Sequence, residues 1–412
     1  MRLGVVADDL TGAADVAGVL GAAGARARLV VGVPAGPAGG GAEAVVVALK
    51  SRSAPVGEAV AESVAAARWL LAGGAERVML KVCSTFDSTP DGNIGPVAVA
   101  LLGLLGAPGA AVCPAFPRNG RTVYMGHLFV GDRLLSESGM ERHPLTPMTD
   151  PDLRRWLAPQ AGEAVGHLPL ADRRAGRGRE RLGAERAAGR RLCVADAVED
   201  ADLLRIAEAA GGDRLLVGGS ALAMGLPALM GLAGGRVAGR AVAGPGLALA
   251  GSCSGATLGQ VAAHEARHPT LRVAPEEALA AGAAERAWAF LQAHRGERPL
   301  VASSAEPGAV AAAQARWGRE RLAGALDALF ARLGARAFAE GFEALVVAGG
   351  ETSGAVAGAL GAGAWDVGEE VAPGVPTLYP ADGTARGVVL KSGNFGGPGF
   401  FDEALDALGA GR

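Results

Sequence analysis

The feature that most constrains this chain is how its apolar residues are grouped. Short runs rich in Val, Leu and Ala alternate with longer Ala-rich stretches of helical period. A run that is apolar at every position suits a strand buried on both faces, as in a parallel sheet covered by helices. Residues 3–7, 28–32, 44–49, 78–82 and 110–113 are predicted strands, and 10–23, 55–71 and 94–105 predicted helices. Residues 117–135, with a turn at Arg118-Asn119-Gly120-Arg121, predict a hairpin. The arginine-rich stretch 173–191 reads as a solvated helix face. A second series follows, with strands at 247–250, 299–302, 344–347 and 388–390. Its helices are expected at 256–266, 310–333, 353–360 and 400–408. The expected architecture is α/β, in two domains, each built on a mostly parallel sheet flanked by helices, with the active site in the cleft between them. The Gly-rich segment 236–246 is read as a linker between domains 1–235 and 247–412.

Composition narrows the functional classes. The net charge of -3 argues against a protein that binds nucleic acid through phosphate neutralisation. Stretches 92–117, 215–235 and 241–263 carry no charge, but Pro and Gly interrupt them, so they read as buried segments rather than membrane spans. The first residues lack an apolar leader before Asp8 and Asp9, and the four cysteines show no CxxC spacing. A cytoplasmic location is expected. His127 and His143 read as structural or substrate-orienting, and no metal-ligand set is assigned. A homodimer is allowed for.

In open α/β sheets, ligands bind beyond the carboxyl ends of the strands. In the first half those ends carry Asp8 and Asp9, then Lys50 and Arg52, then Lys81, Ser84 and Asp87. Acids for hydroxyl groups and cations for a carboxylate suit a small polyhydroxylated anion, with one acid as general base. In the second half they carry Ser252 and Ser254, Gly349, Gly350, Glu351 and Thr352, then Gly393 and Asn394. Gly, Ser and Thr opening a helix expose unpaired N–H groups that can cradle phosphate. The chain has only three lysines against 36 arginines, and Lys50, Lys81 and Lys391 all lie at such ends. Blander roles stand beside these. Asp8 or Asp9 also suits an N-cap, Lys50 and Lys81 ion-pair partners, and Gly349-Gly350 a bare turn. Neither a Walker A loop nor a GxGxxG turn is present.

Ordered motifs run the length of the chain: ADDLTGA at 7–13, LKSRS at 49–53, KVCSTFDST at 81–89, GNIGPV at 92–97, NGRT at 119–122, GHLFVGDRLLSESGM at 126–140 and HPLTPMTD at 143–150. GSCS at 251–254, GGETSG at 349–354, APGVP at 372–376 and KSGNFG at 391–396 complete the series. Together they resemble the four-carbon acid sugar kinase family, and within it the 3-oxo-tetronate kinase branch. The resemblance implies a sugar-acid domain followed by a nucleotide domain, and transfer of phosphate from ATP, with Mg²⁺, to the 4-hydroxyl of a sugar acid. It implies nucleotide contacts at Ser252 or Ser254, Gly349 to Thr352, and Gly393. The expected catalytic set is Asp8, Asp9, Asp87 and Lys81, with Lys50, Arg52, Ser84, Asp87 and Arg121 binding substrate. A D-threonate or D-erythronate 4-kinase, or a sensor without catalysis, are the alternatives. Ala250 departs from the Ser found in some relatives.

Overall fold

The computed structural model describes all residues except 37–39, 144, 238, 241, 306 and 411–412. Pro144 of the HPLTPMTD motif and Ala238 and Ala241 of the expected linker lie outside the described residues. The chain divides into two compact units, Met1–Arg236 and Val237–Arg412. Among the described residues no helix is long and apolar enough to cross a membrane.

Unit 1 contains strands β1 (Leu3–Ala7), β2 (Ala27–Val31), β3 (Ala44–Ala48), β4 (Arg77–Lys81) and β5 (Ala110–Cys113). A small antiparallel sheet follows: β6 (Arg121–Tyr124), β7 (His127–Val130) and β8 (Arg133–Leu134). Then come β9 (Gly166–Leu168), β10 (Leu192–Ala195) and β11 (Leu215–Gly218). The helices are α1 (Leu10–Ala22), α2 (Val56–Ala72), α3 (Ile94–Leu105), α4 (Leu153–Ala161), α5 (Leu170–Arg174), α6 (Gly178–Ala187), α7 (Asp200–Ala209) and α8 (Leu226–Met230). The main sheet runs β2-β3-β1-β4-β11-β5-β10-β9, every pair parallel. β1, β3 and β4 are buried at every position, as their unbroken apolar runs require.

Unit 2 contains β12 (Gly246–Ala250), β13 (Thr270–Arg272), β14 (Leu300–Ala302), β15 (Ala344–Ala348), β16 (Ala364–Ala372), β17 (Val375–Pro380) and β18 (Gly387–Lys391). Its helices are α9 (Gly255–Glu265), α10 (Ala283–Ala293), α11 (Pro307–Trp317), α12 (Arg319–Ala339), α13 (Gly350–Ala359) and α14 (Phe400–Leu408). The strand order is β13-β14-β12-β15-β18-β17-β16. It is parallel from β13 to β18, while β17 and β16 are antiparallel additions, with register shifts at Glu370. Phe400, Phe401 and Leu405 of α14 pack into the core under Ala248, Val346 and Val389.

Two expectations need correction. The single helix at 310–333 is two, α11 and α12, because Gly318 takes a left-handed φ of 83° between them. The arginine stretch 173–191 is also not one solvated face. It spans α5 and α6, and Arg173 is buried, its Nη1 donating to the Asp202 carbonyl at 2.8 Å and to Oδ1 at 3.0 Å.

Candidate functional site

In unit 1 the strand register assembles the site. Ala7 lies level with Ala48 on one side and Lys81 on the other, so the loops after β1, β3 and β4 leave the sheet together. Asp9 has an extended backbone, φ -148° and ψ 161°, and caps α1. Its Oδ1 accepts the Gly12 N–H at 3.2 Å and its Oδ2 the Thr11 hydroxyl at 2.6 Å. Arg52 reaches across from the loop after β3. Its Nε and Nη2 donate to Asp8 Oδ2 and Oδ1 at 2.9 and 2.8 Å, and Nη2 also donates to Asp9 Oδ1 at 2.6 Å. Lys81 is buried, and its Nζ donates to the Val82 carbonyl at 2.7 Å. A Cβ on Gly12 would stand 2.6 Å from that ammonium and 2.4 Å from Asp9 Oδ1, so only glycine lets the three groups meet.

The loop after β4 adds the third acid. Thr85 donates its hydroxyl to Asp87 Oδ1 at 2.6 Å. Between them Phe86 is fully buried with a left-handed φ of 57°, a strained conformation for a bulky residue. Asn93 fixes the Arg52 loop, its Nδ2 donating to the carbonyls of Ser51 at 2.7 Å and Ala54 at 2.8 Å. Asp8, Ser51, Arg52, Asp87 and Asn93 supply the polar lining of one pocket. Asp9 is not part of that lining.

The two neighbouring acids separate in proton affinity. Burial raises Asp8 above its usual range, against the pull of Arg52, and the charge of Asp9 adds to the rise. Burial also pushes Asp9 upward, but Arg52, Lys81, the Thr11 hydroxyl and the Gly12 N–H together hold it at about 2. Burial drives the Cys83 thiol up to about 11 and Cys113 to about 12, so both stay protonated at neutral pH.

The structure thus brings together Asp8, Asp9, Arg52 and Lys81; Asp8, Arg52 and Asp87 share one pocket, and Lys81, like Asp9, is outside its lining. Ser84 lies half-buried in the Asp87 loop. Lys50 is exposed and outside the pocket lining, and Arg121 sits on β6, with its guanidinium bonded to the Asn119 carbonyl. Asn93 stands in the GNIGPV motif, but sequence reasoning gave it no role in the site. The signal was its rarity, as one of three asparagines in the chain.

In unit 2 the registers Ala250↔Ala348 and Ala348↔Lys391 set the loops after β12, β15 and β18 side by side. α9 and α13 therefore begin at neighbouring positions. Gly349 takes φ 130° before α13, and a Cβ there would come 3.1 Å from the Ser252 nitrogen. A Cβ on Gly251 would stand 2.1 Å from Thr352 Oγ1. The first-turn N–H groups of Gly350, Glu351 and Thr352 have no partner within their helix and form an anion-attracting end. Ser254 caps α9 by accepting the Thr257 N–H at 3.2 Å, and donates its hydroxyl to the Gly393 carbonyl at 2.6 Å. Thr257 Oγ1 donates to the same carbonyl at 2.8 Å. Ser252 Oγ would lie 2.3 Å from a Cβ on Gly393. Asn394 follows in the same loop and is exposed, while Ser252 is half-buried.

Lys391, to which sequence reasoning gave no role, holds this corner. It is 1 % exposed, and its Nζ bonds Thr257 Oγ1 and the carbonyls of Ser392 and Gly393, each at 3.1 Å. Those partners are neutral, and burial lowers its pKa to about 8. Gln260 completes the support, with Nε2 at 3.0 Å from the carbonyls of Phe395, Gly396 and Gly397.

Comparison with known proteins gives a sugar-binding N-terminal domain over residues 3–226 and a nucleotide-binding C-terminal domain over residues 247–401. A curated 3-oxo-tetronate kinase of Cupriavidus necator is 49% identical over 99% of this chain and 97% of its own length. The chain belongs to this two-domain family of sugar-acid kinases. Another family member, the 3-oxo-tetronate kinase of Burkholderia multivorans, is 46% identical over 98% of this chain and 97% of its own. Two crystal structures of the family share the fold. A Salmonella typhimurium LT2 protein, provisionally named a tRNA synthase, has a TM-score of 0.89 at 39% identity, covering 98% of both chains. A Haemophilus influenzae protein of a domain family of unknown function has a TM-score of 0.80 at 38% identity, covering 98% of this chain and 100% of its own. The family's division into a sugar-binding and a nucleotide-binding half matches the chemistry of the two sites: acids and cations at one, helix N-termini and glycines at the other.

Proposed function

We propose that this chain is an ATP-dependent kinase that phosphorylates the 4-hydroxyl of a 3-oxo-tetronate. The observation that carries this reading is the Asp8–Arg52 pair on a pocket that also holds Asp87, beside the buried Lys81, in a chain matched over nearly its whole length by 3-oxo-tetronate kinases. Arg52 and Lys81 supply positive charge for the substrate carboxylate, and Asp8 and Asp87 are acceptors for its hydroxyl groups. Asp8 takes the proton from the 4-hydroxyl. It lines the pocket, and burial raises its proton affinity, whereas Asp9 is committed to capping α1 and stays ionised. Asp9 and Gly12 position Arg52 and Lys81.

ATP phosphates are received by the first turn of α13, from Gly349 to Thr352, beside Ser252, Ser254 and the Gly393–Asn394 loop that Lys391 holds. Glu351 offers an exposed carboxylate in that turn, the hard oxygen donor that Mg²⁺ takes alongside phosphate oxygens. Glu351 and the phosphates would hold the ion, which neutralises charge on the transferring group. Lys50 and Arg121, both outside the pocket lining, would reach the substrate only at its rim.

The test is the position of the new phosphate. Protein, ATP and a 3-oxo-tetronate are incubated, and the product is read by phosphorus–proton correlation in NMR. Coupling to the C4 methylene protons is expected. Phosphate on C2, or ATP turnover without a phosphorylated acid, would overturn the reading.

A further inference from the structure

A second cluster of titratable side chains lies in unit 2 where the end of α9 meets the start of α14. His264 is in the last turn of α9, His268 just past it, and Asp402 in the first turn of α14. The two imidazoles stack with centroids 4.6 Å apart. Each turns a nitrogen toward one carboxylate oxygen. His264 Nδ1 is 3.3 Å and His268 Nε2 3.0 Å from Asp402 Oδ1.

The opposite nitrogens decide the tautomers. His264 Nε2 is 2.9 Å from the Arg298 carbonyl, and His268 Nδ1 is 3.1 Å from the Glu297 carbonyl. A carbonyl only accepts, so both of those nitrogens carry hydrogen. In the neutral rings the inward nitrogens are then lone pairs facing a carboxylate oxygen, itself an acceptor. His264 Nδ1 is buried with no hydrogen-bond partner among the described residues. Three acceptors thus converge within 4.8 Å of one another. Such a cluster is stable only around positive charge.

Protons alone fit poorly. One proton leaves the other lone pair against the carboxylate. Two make stacked imidazoliums, one of them 1 % exposed, beside Arg267, whose guanidinium already pairs with Asp402 Oδ2. A single metal ion uses all three donors at once. Histidines whose outer nitrogen donates to a backbone carbonyl are the usual arrangement around a metal. Arg298, which supplies one of those carbonyls, holds a left-handed φ of 57° uncommon for a residue with a side chain.

We propose that His264 Nδ1, His268 Nε2 and Asp402 Oδ1 bind one divalent metal ion of the Zn²⁺ class, tying the end of α9 to the start of α14. The N,N,O donor set suits Zn²⁺ with water in the remaining position, and His268 and Asp402 are both partly open to solvent. The role is structural. The site lies about 15 Å along α9 from Ser254 at a rise of about 1.5 Å per residue. Gln260, one turn before His264, grips the carbonyls at 395–397, so the ion would steady the KSGNFG loop from behind.

The test uses the full chain, stripped with chelator and titrated with ZnCl₂ or CoCl₂ alone. One tight equivalent per chain is expected after gel filtration, with imidazole-type d–d bands for Co²⁺ and a higher Tm for the loaded protein. His268→Ala and Asp402→Asn should each weaken binding roughly tenfold or more. Partly exposed His268 can be replaced without opening the core, and circular dichroism of the chelated variants checks folding. No bound metal in the unaltered protein, or equal binding in both folded variants, would overturn the proposal. So would a stability that responds to pH near neutrality but not to either metal.

Discussion

Arg52 grips both acids that follow β1. Its guanidinium forms a two-pronged pair with Asp8 and, through Nη2, stands 2.6 Å from Asp9. Lysine keeps the charge but cannot make the fork. Arg52→Lys should therefore fold and lose roughly 10- to 100-fold in kcat/KM for the sugar acid, with little change in KM for ATP. Arg52→Ala removes the hydrogen-bonded ion-pair partner of Asp8 and should cost about 3–5 kcal/mol of stability by denaturant unfolding. Equal kcat/KM for Arg52→Lys and the unaltered protein would remove Arg52 from the site.

The acids should divide by role. Asp8→Asn is expected to lower kcat about 10²- to 10⁴-fold, the range for a lost general base. Asp87→Asn should act mainly on KM for the sugar acid. Asn caps a helix as well as Asp, so Asp9→Asn should keep α1 and lose charge pairing only. Single-substrate kinetics at saturating ATP separate the three. A kcat collapse in Asp9→Asn alone would reassign the base.

Asp9 also predicts an acid limb. Its folded pKa, about 2, lies below the unfolded value, so its stabilisation is present above pH ~4 and is lost as pH falls toward about 2. The difference in unfolding free energy between the unaltered protein and Asp9→Asn should shrink by about 2 kcal/mol over that window. A difference that stays constant between pH ~4 and ~2 would contradict the depressed pKa.

Crowding at Gly12 makes the Lys81 pocket unforgiving. Gly12→Ala places a methyl against both Lys81 Nζ and Asp9 Oδ1, and Lys81→Arg puts a bulkier head in the same space. Both should weaken sugar-acid binding, and Gly393→Ala, which meets Ser252 and Ser254, should weaken ATP binding instead. Isothermal titration with each ligand reads the split. An active Lys81→Arg protein of unchanged substrate affinity would count against this packing.

Lys391 predicts a pH dependence of the same sign at the alkaline end. Its folded pKa, about 8, is below the unfolded value of about 10.4. Between these the unfolded chain binds more protons, so the cost of burying the ammonium is full below pH ~8 and relieved as pH rises toward ~10. The stability of the unaltered protein relative to Lys391→Met should rise by about 3 kcal/mol across that interval. No change in the difference would mean that Lys391 is not desolvated.

Much of this was legible because buried parallel strands write themselves as unbroken apolar runs. β1, β3 and β4 lie where the runs predict, and their carboxyl ends carry the acids and cations. Short strands such as β9, with three residues, carry too little pattern to see. The antiparallel β16 and β17 were missed because Gly368 and the acids at 369–370 interrupt the run. Which acid caps and which faces the pocket depends on φ and on the reach of Arg52, 43 residues away from Asp9. Pairings at that range leave no local trace. His264 and His268, four apart, were passed over because Asp402 is remote in sequence.

Coupled ADP release with purified protein over a panel of four-carbon acids reads the acceptor preference itself. kcat/KM for a 3-oxo-tetronate should exceed that for D-threonate and D-erythronate by roughly 100-fold or more, since a site built around the substrate's polar groups discriminates strongly. Turnover of D-threonate or D-erythronate that equals or exceeds that of every 3-oxo-tetronate would contradict it.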